Sequence, residues 1–208
     1  MATDVIQRRL TVSRGIRLEY LTVGWNILEG AIAVLSGIIS GSVALVGFGI
    51  DSAIESFSGA VLLWRLHAEK NGQKADLLDR KALKLVGTGF LLLAVYVAFD
   101  AISTLVTREQ PRRSFIGIAL SLLSLVVMPL LARAKRRTAS ELNSPALHAD
   151  SRQTSICAYL SAILLCGLLL NVTVGWWWAD PIAALAMVPI IAQEGREALK
   201  GEICSDCH

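Results

Sequence analysis

The clearest candidates for chemistry are two carboxylates, Asp51 and Glu55, which lie in a long stretch with no other charge. Their spacing of four puts both on one face of a helix. If this helix crosses a bilayer, each ionised carboxylate costs about 2.5–3.5 kcal/mol and needs a cation, a proton or water. A pair that alternates between a cation and protons would exchange one for the other. The alternative is a pair of protonated acids that hydrogen-bond to neighbouring helices.

Glu29 is a further acid inside an apolar run. It shares a helical face with Asn26, Ala33 and Ser36, so this face could line a polar path in which Glu29 carries protons. Packing competes with that interpretation, because small residues let membrane helices approach closely.

A second constellation precedes another apolar run. Asp150, Thr154 and Cys157 follow the i, i+4, i+7 pattern and share one helical face if the helix begins by Ser151 or earlier. Carboxylate oxygen with a thiol suits a borderline divalent transition metal, whereas calcium or magnesium sites are built from oxygen. The competing interpretations are that Cys157 is a small buried hydrophobe and that Asp150 caps the helix.

The elements that must position these residues are membrane-spanning helices. The 208 residues are 54% apolar and 18% charged, whereas a soluble domain is about 45–50% apolar and about 25% charged. Apolar runs of about 20 residues match the thickness of a bilayer, and period-two alternation is absent. We therefore predict an all-α membrane protein, a six-helix bundle. The predicted spans are Tyr20–Ile39, Ser42–Trp64, Leu85–Val106, Phe115–Ala132, Thr154–Val174 and Trp177–Ala192.

The basic residues predict the orientation. Seventeen of the 20 Lys and Arg residues fall on one face of the six-span arrangement, and only Arg108, Arg112 and Arg113 fall on the other. By the positive-inside rule both termini are cytoplasmic, in the cytoplasmic membrane. We interpret residues 1–19 as a cytoplasmic segment, 20–199 as the transmembrane domain and 200–208 as a cytoplasmic tail. The first apolar run is a retained helix and not a cleaved leader.

Two junctions are short. Ser40-Gly41-Ser42 alone separates the first two spans and predicts a tight helical hairpin. Between the last two spans, Asp180 precedes Pro181 in the pattern of a residue that caps the following helix.

With these motifs, the chain resembles the cation diffusion facilitator (cation efflux) family. Residues 40–55 are similar to its second helix, which carries two metal-binding carboxylates four apart, and residues 175–181 are similar to its junction between the fifth and sixth helices. The resemblance implies a homodimeric exporter of a divalent metal in exchange for protons, with Asp51 and Glu55 as ligands. The His-xxx-Asp pair of the family's fifth helix is missing here, where Asp150, Thr154 and Cys157 stand instead.

We therefore expect a secondary transporter of a divalent transition-metal cation as substrate, with no permanent cofactor. Zinc, iron, cobalt, manganese, nickel and cadmium remain open. The alternative is an integral membrane protein that binds metal or a partner without transport. We expect no enzymatic activity, because nucleophile-elbow, phosphate-loop and zinc-protease motifs are absent. Nucleic-acid binding has little support from a net charge of +3.

The family usually carries a cytoplasmic domain after the sixth helix, where this sequence has a short tail. Cys204, Cys207 and His208 in that tail could capture a metal transiently, or could belong to a disordered tail with free thiols. We expect a homodimer held by its membrane helices, with the small residues around Gly37 and Gly59 as candidate contacts. These same residues could instead pack the first hairpin within one chain.

Overall fold

A computed structural model describes the backbone of residues 2–70, 76–108, 112–142 and 144–200, with most of their side chains. All the regular secondary structure in these ranges is α-helical. The helices are α1 (Ala2–Ser40), α2 (Val43–Lys70), α3 (Asp76–Thr107), α4 (Phe115–Leu142), α5 (Pro145–Val174) and α6 (Ala179–Lys200).

Five of these helices are long and apolar enough to cross a membrane. The candidate membrane spans in these helices are Leu10–Ser40, Val43–Trp64, Gly87–Thr107, Phe115–Leu142 and Asp150–Val174. The all-α membrane fold is thereby confirmed. A sixth crossing by α6 and the cytoplasmic position of both termini stay predictions.

Several helices are longer than their predicted spans. Helix α4 continues beyond Ala132 to Leu142, and α5 begins at Pro145, before the predicted start of its span at Thr154. Helical hydrogen bonds do not require an apolar environment, so a helix can continue past the residues that match the hydrocarbon. Most of the connection that we predicted between these two spans is therefore helix.

Three short connections lie at the same end of the bundle. They join α1 to α2, α3 to α4, and α5 to α6. The backbone N–H of Arg112, between α3 and α4, donates to the carbonyl of Ser40 at the end of α1, with a separation of 2.6 Å. Gly41 turns the chain into α2 with φ at 68°, and Gly175 ends α5 with φ at 73°. Glycine adopts this left-handed conformation without the penalty that a Cβ imposes.

Asp180 caps α2 and not its own helix. Its carboxylate accepts hydrogen bonds from the Ser42 hydroxyl at 2.5 Å and from the backbone N–H of Ala44 at 3.4 Å. The Ser42 hydroxyl in turn accepts from the N–H of Leu45 at 3.2 Å. These contacts satisfy backbone donors that every helix leaves free at its start. Our prediction that Asp180 caps the sixth helix is wrong, and this contact instead joins α2 to α6.

Glycines let α1 and α2 pack backbone against backbone. A Cβ on Gly49 would lie 2.7 Å from Val34 Cγ2 and 2.9 Å from the Val34 backbone nitrogen. A Cβ on Gly37 would lie 2.9 Å from the Val46 backbone nitrogen. Both distances are shorter than van der Waals contact, so neither position can hold a larger residue without moving a helix.

The small residues that were candidates for dimer contacts are used within this hairpin. Gly37 packs against α2, and a Cβ on Gly59 would lie 2.6 Å from Val23 Cγ2 of α1. Of the two interpretations that the sequence left open, packing within one chain is the one observed at these positions.

Two apolar clusters lie along the bundle, with the polar residues between them. The cluster on the side of the short connections includes Val43, Leu45, Phe48, Leu160, Leu164 and Leu168. The cluster on the opposite side includes Val12, Ile16, Leu62, Leu66, Ala139 and Leu147. Asp51 and Glu55 lie in α2 between Phe48 and Leu62, so their helix is held by apolar packing both before and after them.

We expect Gly49→Ala to destabilise the protein by about 1–3 kcal/mol, because the added methyl group overpacks the hairpin. Gly24→Ala is the matched control: a Cβ there meets nothing within 4 Å, and replacing a helical glycine should be neutral or stabilising by up to about 1 kcal/mol. Thermal unfolding of both variants in detergent measures the difference. Equal stability of the two variants would contradict the close packing described here.

Candidate functional site

The two carboxylates of α2 are buried in the bundle. Asp51 is 5% exposed and Glu55 is 2% exposed. Among the described residues, the charged groups close enough to influence Asp51 are acids: Glu55, Glu194 and Glu29. A group of carboxylates with this little compensation attracts cations or protons.

Glu55 faces the fifth helix. Its carboxylate lies beside the hydroxyl of Thr154 and the thiol of Cys157. All three side chains are buried, and neither Glu55 oxygen has a hydrogen-bond partner among the described residues. The structure therefore brings together residues that the sequence predicted for one site from two separate helices.

Helix α5 begins early enough to put its three predicted residues on one face. Ser144 is the N-cap, and its side chain accepts a hydrogen bond from the Leu147 N–H. Asp150 consequently lies inside the helix, which excludes the interpretation of Asp150 as a cap. Asp150, Thr154 and Cys157 are all buried.

A lysine that we had assigned to a connection lies at the centre of this region. Lys135 of α4 is fully buried, and its ammonium contacts Glu19 at 3.1 Å, the carboxylate of Asp150, and the Thr154 hydroxyl at 3.4 Å. One ammonium thus faces two carboxylates. Lys135 is one of the seventeen basic residues counted above for the orientation, and we had assigned it to the connection between the fourth and fifth spans. The structure corrects this assignment, because Lys135 lies inside α4.

The sequence contains a signal for this burial. The buried residues of α4 recur every three or four positions, through Met128, Ala132, Lys135, Ala139 and Leu142. Lys135 continues this apolar stripe, whereas the neighbouring arginines fall outside it and are exposed. A count of basic residues in each connection does not show that Lys135 is buried. The position of each basic residue on its helical face does show it.

The Lys135 cluster divides the acids into two groups. Glu19 and Asp150 share a fixed cation, although Glu19 Oε1 and Asp150 Oδ1 have no partner among the described residues. Asp51 and Glu55 form no ion pair of this kind in the described part of the chain, although the ammonium of Lys135 is near enough to attract Glu55. These two carboxylates are therefore less compensated than Glu19 and Asp150, and Asp51 is the least compensated of the four.

Glu29 belongs to a third element of the site. It is 1% exposed, and its Oε2 accepts a hydrogen bond from the Ser52 hydroxyl of α2 at 3.4 Å. Its Oε1 has no partner among the described residues. Glu55 and Asp51 are acids close enough to interact with it. Glu29 thus lies near the α2 carboxylates, where a proton carrier would have to be.

Helix α6 contributes an acid whose pKa is close to neutrality. Glu194, beyond the predicted sixth span, is half-buried, and its pKa is raised to about 7, mainly by burial. Repulsion by Glu197 contributes to this rise, whereas the positive charge of Arg152 opposes it. Arg152 and Glu197 form an ion pair at 3.5 Å. The sequence pattern had indicated only that Glu194 follows the last span.

The described side chains do not form a closed metal cage. Among them, no three of the His, Cys, Asp and Glu residues are grouped closely enough to hold an ion. Gln153, which the sequence patterns did not single out, lies four residues before Cys157 and has a buried amide nitrogen without a partner among the described residues. Cys204, Cys207 and His208 lie outside the described residues.

The sequence pattern of the cation efflux transmembrane domain matches residues 84–203, more than half of the chain. This chain belongs to the cation efflux family. The resemblance to this family is thereby confirmed, and residues 175–181 lie within the match, whereas residues 40–55 lie outside it. The match begins after α2, so the assignment of Asp51 and Glu55 rests on the geometry described above.

Individual relatives cover most of the chain. It is 25% identical to a cadmium, cobalt and zinc/H(+)-K(+) antiporter of Bacillus subtilis, covering 92% of this chain and 64% of that protein. It is 25% identical to the cation-efflux pump FieF of Shewanella oneidensis, covering 78% and 57%. For an uncharacterized transporter of Synechocystis the identity is 23%, covering 89% and 62%. The chain spans about three fifths of the length of the curated relatives it matches.

We expect Lys135→Met to destabilise the protein by about 3–5 kcal/mol, because it leaves two buried carboxylates without their cation. Combining it with Glu19→Gln and Asp150→Asn removes both charges and should recover most of that loss. Arg133→Met, an exposed residue of the same helix, is the control. Thermal unfolding in detergent distinguishes these variants. A stable Lys135→Met protein would show that the ammonium is not needed to hold the acids.

Proposed function

We propose that this chain exports a divalent transition-metal cation in exchange for protons, and that Glu55 is the central ligand of the cation. The observation that carries the proposal is the buried Glu55 carboxylate beside the thiol of Cys157, with both oxygens unpartnered among the described residues. A buried charged group without a hydrogen bond is unfavourable, and a cation or a proton removes that penalty.

The donor set favours a transition metal. Glu55 supplies carboxylate oxygen, Cys157 supplies sulfur once it is deprotonated, and Thr154 supplies a hydroxyl oxygen. Asp51, one turn from Glu55 on α2, is a second carboxylate. Sulfur favours zinc, cadmium, cobalt and iron over the harder manganese, magnesium and calcium. Water would complete the coordination, as in other sites that release their metal.

Proton exchange follows from the same chemistry. A thiol and carboxylates must lose their protons to bind a metal, and they regain protons when the metal leaves. Glu29 lies close to this group and is the proposed proton carrier. Asp150 remains a proposed ligand, but we expect it to bind the cation more weakly than Glu55 does. The reason is that the ammonium of Lys135 already contacts one of its oxygens.

The wider assignments rest on the family and on charge. The relative from Bacillus subtilis is named as an antiporter of cadmium, cobalt and zinc, which supports cation export by this chain. The bias of basic residues supports cytoplasmic termini in a plasma membrane, with α6 as the sixth span. A homodimer is part of the proposal. Its contacts lie away from Gly37 and Gly59, which are occupied within one chain.

We expect Asp51→Asn and Glu55→Gln each to reduce metal flux to background in proteoliposomes driven by a pH gradient, because each removes a carboxylate that binds the cation. Asp100→Asn on α3, which contacts Tyr96 of the same helix, is the matched control and should keep normal flux. Normal flux in Asp51→Asn or Glu55→Gln would contradict the proposal. Metal binding without flux in the wild-type protein would favour the alternative of a binding protein without transport.

We expect Cys157→Ser to change the selectivity among metals. Since loss of even an outer-sphere partner costs about 10–100-fold in metal affinity, loss of the sulfur should lower the ratio of cadmium to manganese flux by about tenfold or more. Cys166→Ser, at an exposed position of the same helix, should leave this ratio unchanged. The same ratio in both variants would reduce Cys157 to a packing residue.

A further inference from the structure

A group of buried polar atoms without partners lies between α1 and α4. It comprises the indole nitrogen of Trp25, both amide atoms of Asn26, Glu29 Oε1 and the hydroxyl of Ser124. Asn26 and Ser124 are fully buried, and Glu29 is 1% exposed. None of these atoms has a hydrogen-bond partner in the part of the chain that the structure describes.

These side chains are neighbours of Glu29. Trp25, Asn26 and Glu29 lie within one turn of α1, and residues three or four apart share a helix face. The Trp25 indole and the Ser124 hydroxyl are close to the Glu29 carboxylate, and Ser52 of α2 donates to its other oxygen. We call the space between these side chains, which α1, α2 and α4 border, the pocket.

Leaving these groups unpaired would be strongly unfavourable. Each buried polar group without a hydrogen bond costs about 1–3 kcal/mol, and a membrane interior offers no bulk water to relieve the penalty. Four neighbouring side chains with such atoms therefore indicate a bound ligand.

The chemistry of the atoms identifies that ligand. The indole N–H of Trp25 and the amide NH2 of Asn26 are donors, whereas the Asn26 amide oxygen and the Glu29 carboxylate are acceptors. A metal ion would face the donors unfavourably, and an anion would face the carboxylate. Water both donates and accepts, and buried waters typically make about three hydrogen bonds to groups of this kind.

We propose that α1, α2 and α4 enclose a bound water cluster held by Asn26, Ser124, Trp25 and Glu29, and that this water conducts protons between Glu29 and the metal site. The conduction part rests on the proposed function. In each step one O–H bond of a water or carboxylic acid breaks and one forms on the neighbouring oxygen. Among the described residues, Glu55 and Asp51 of α2 are charged groups near Glu29, and α4 contributes the hydroxyl of Ser124.

The water itself is tested without transport, by solid-state NMR transfer of magnetisation from water to protein in lipid bilayers. We expect early transfer to the Trp25 indole N–H and the Asn26 amide. The backbone N–H of Leu164, fully buried in the apolar cluster, should receive it late. Transfer to Trp25 and Asn26 as slow as to Leu164 would overturn the proposal.

Two serines of α4 provide matched variants. Ser124→Ala removes a ligand of the water and should slow the transfer to Trp25. Ser121→Ala should not, because the Ser121 hydroxyl is also fully buried but already donates to the Gly117 carbonyl at 2.8 Å. Slowing by both variants to the same extent would overturn the assignment of Ser124 to the pocket.

The conduction role is tested by metal flux under a pH gradient. We expect Asn26→Leu to slow this flux by about tenfold or more while equilibrium metal binding at Asp51 and Glu55 is unchanged. Unchanged flux in Asn26→Leu would overturn the conduction role. If the wild-type protein shows no flux, the proposed function fails, whereas the NMR result still decides whether the pocket holds water.

Discussion

A carboxylate buried inside a bilayer must be compensated by a cation, a proton or water, and this constraint organises the interior of the molecule. Lys135 compensates Glu19 and Asp150 with a fixed ammonium. Asp51 and Glu55 form no such ion pair among the described residues, and we propose that a mobile cation or protons compensate them. Glu29 lies beside a pocket of unpaired polar atoms that water would satisfy. With both proposals, one bundle would use a fixed ammonium, a mobile cation and water to compensate its buried acids.

The fold serves this arrangement by holding α2 at both ends. Asp180 caps its first turn from α6, and close glycine contacts hold it against α1. Apolar clusters lie before Asp51 and after Glu55 along the helix. Unpaired carboxylates destabilise a structure, so the surrounding packing must supply the rigidity that keeps them buried. This division between a stable frame and a strained site is common where binding or transport occurs.

Much of the fold and part of the site follow from local patterns. The hairpin at Gly41, the shared face of Asp51 and Glu55, and the alignment of Thr154 with Cys157 depend on spacing within one segment. Lys135 could have been found from the stripe that it continues on α4. By contrast, the contact of Asp180 with Ser42 and the pocket around Asn26 join helices that are distant in sequence, and no periodicity within one segment encodes such contacts.

We propose that α2 and α5 hold the transported cation at Glu55, beside Cys157. The most direct measurement is anomalous diffraction from crystals of the protein soaked with cadmium or zinc. We expect a peak within bonding distance of a Glu55 oxygen and the Cys157 sulfur, and loss of that peak in Glu55→Gln. A peak that instead lies between Glu19 and Asp150, or that persists unchanged in Glu55→Gln, would contradict it.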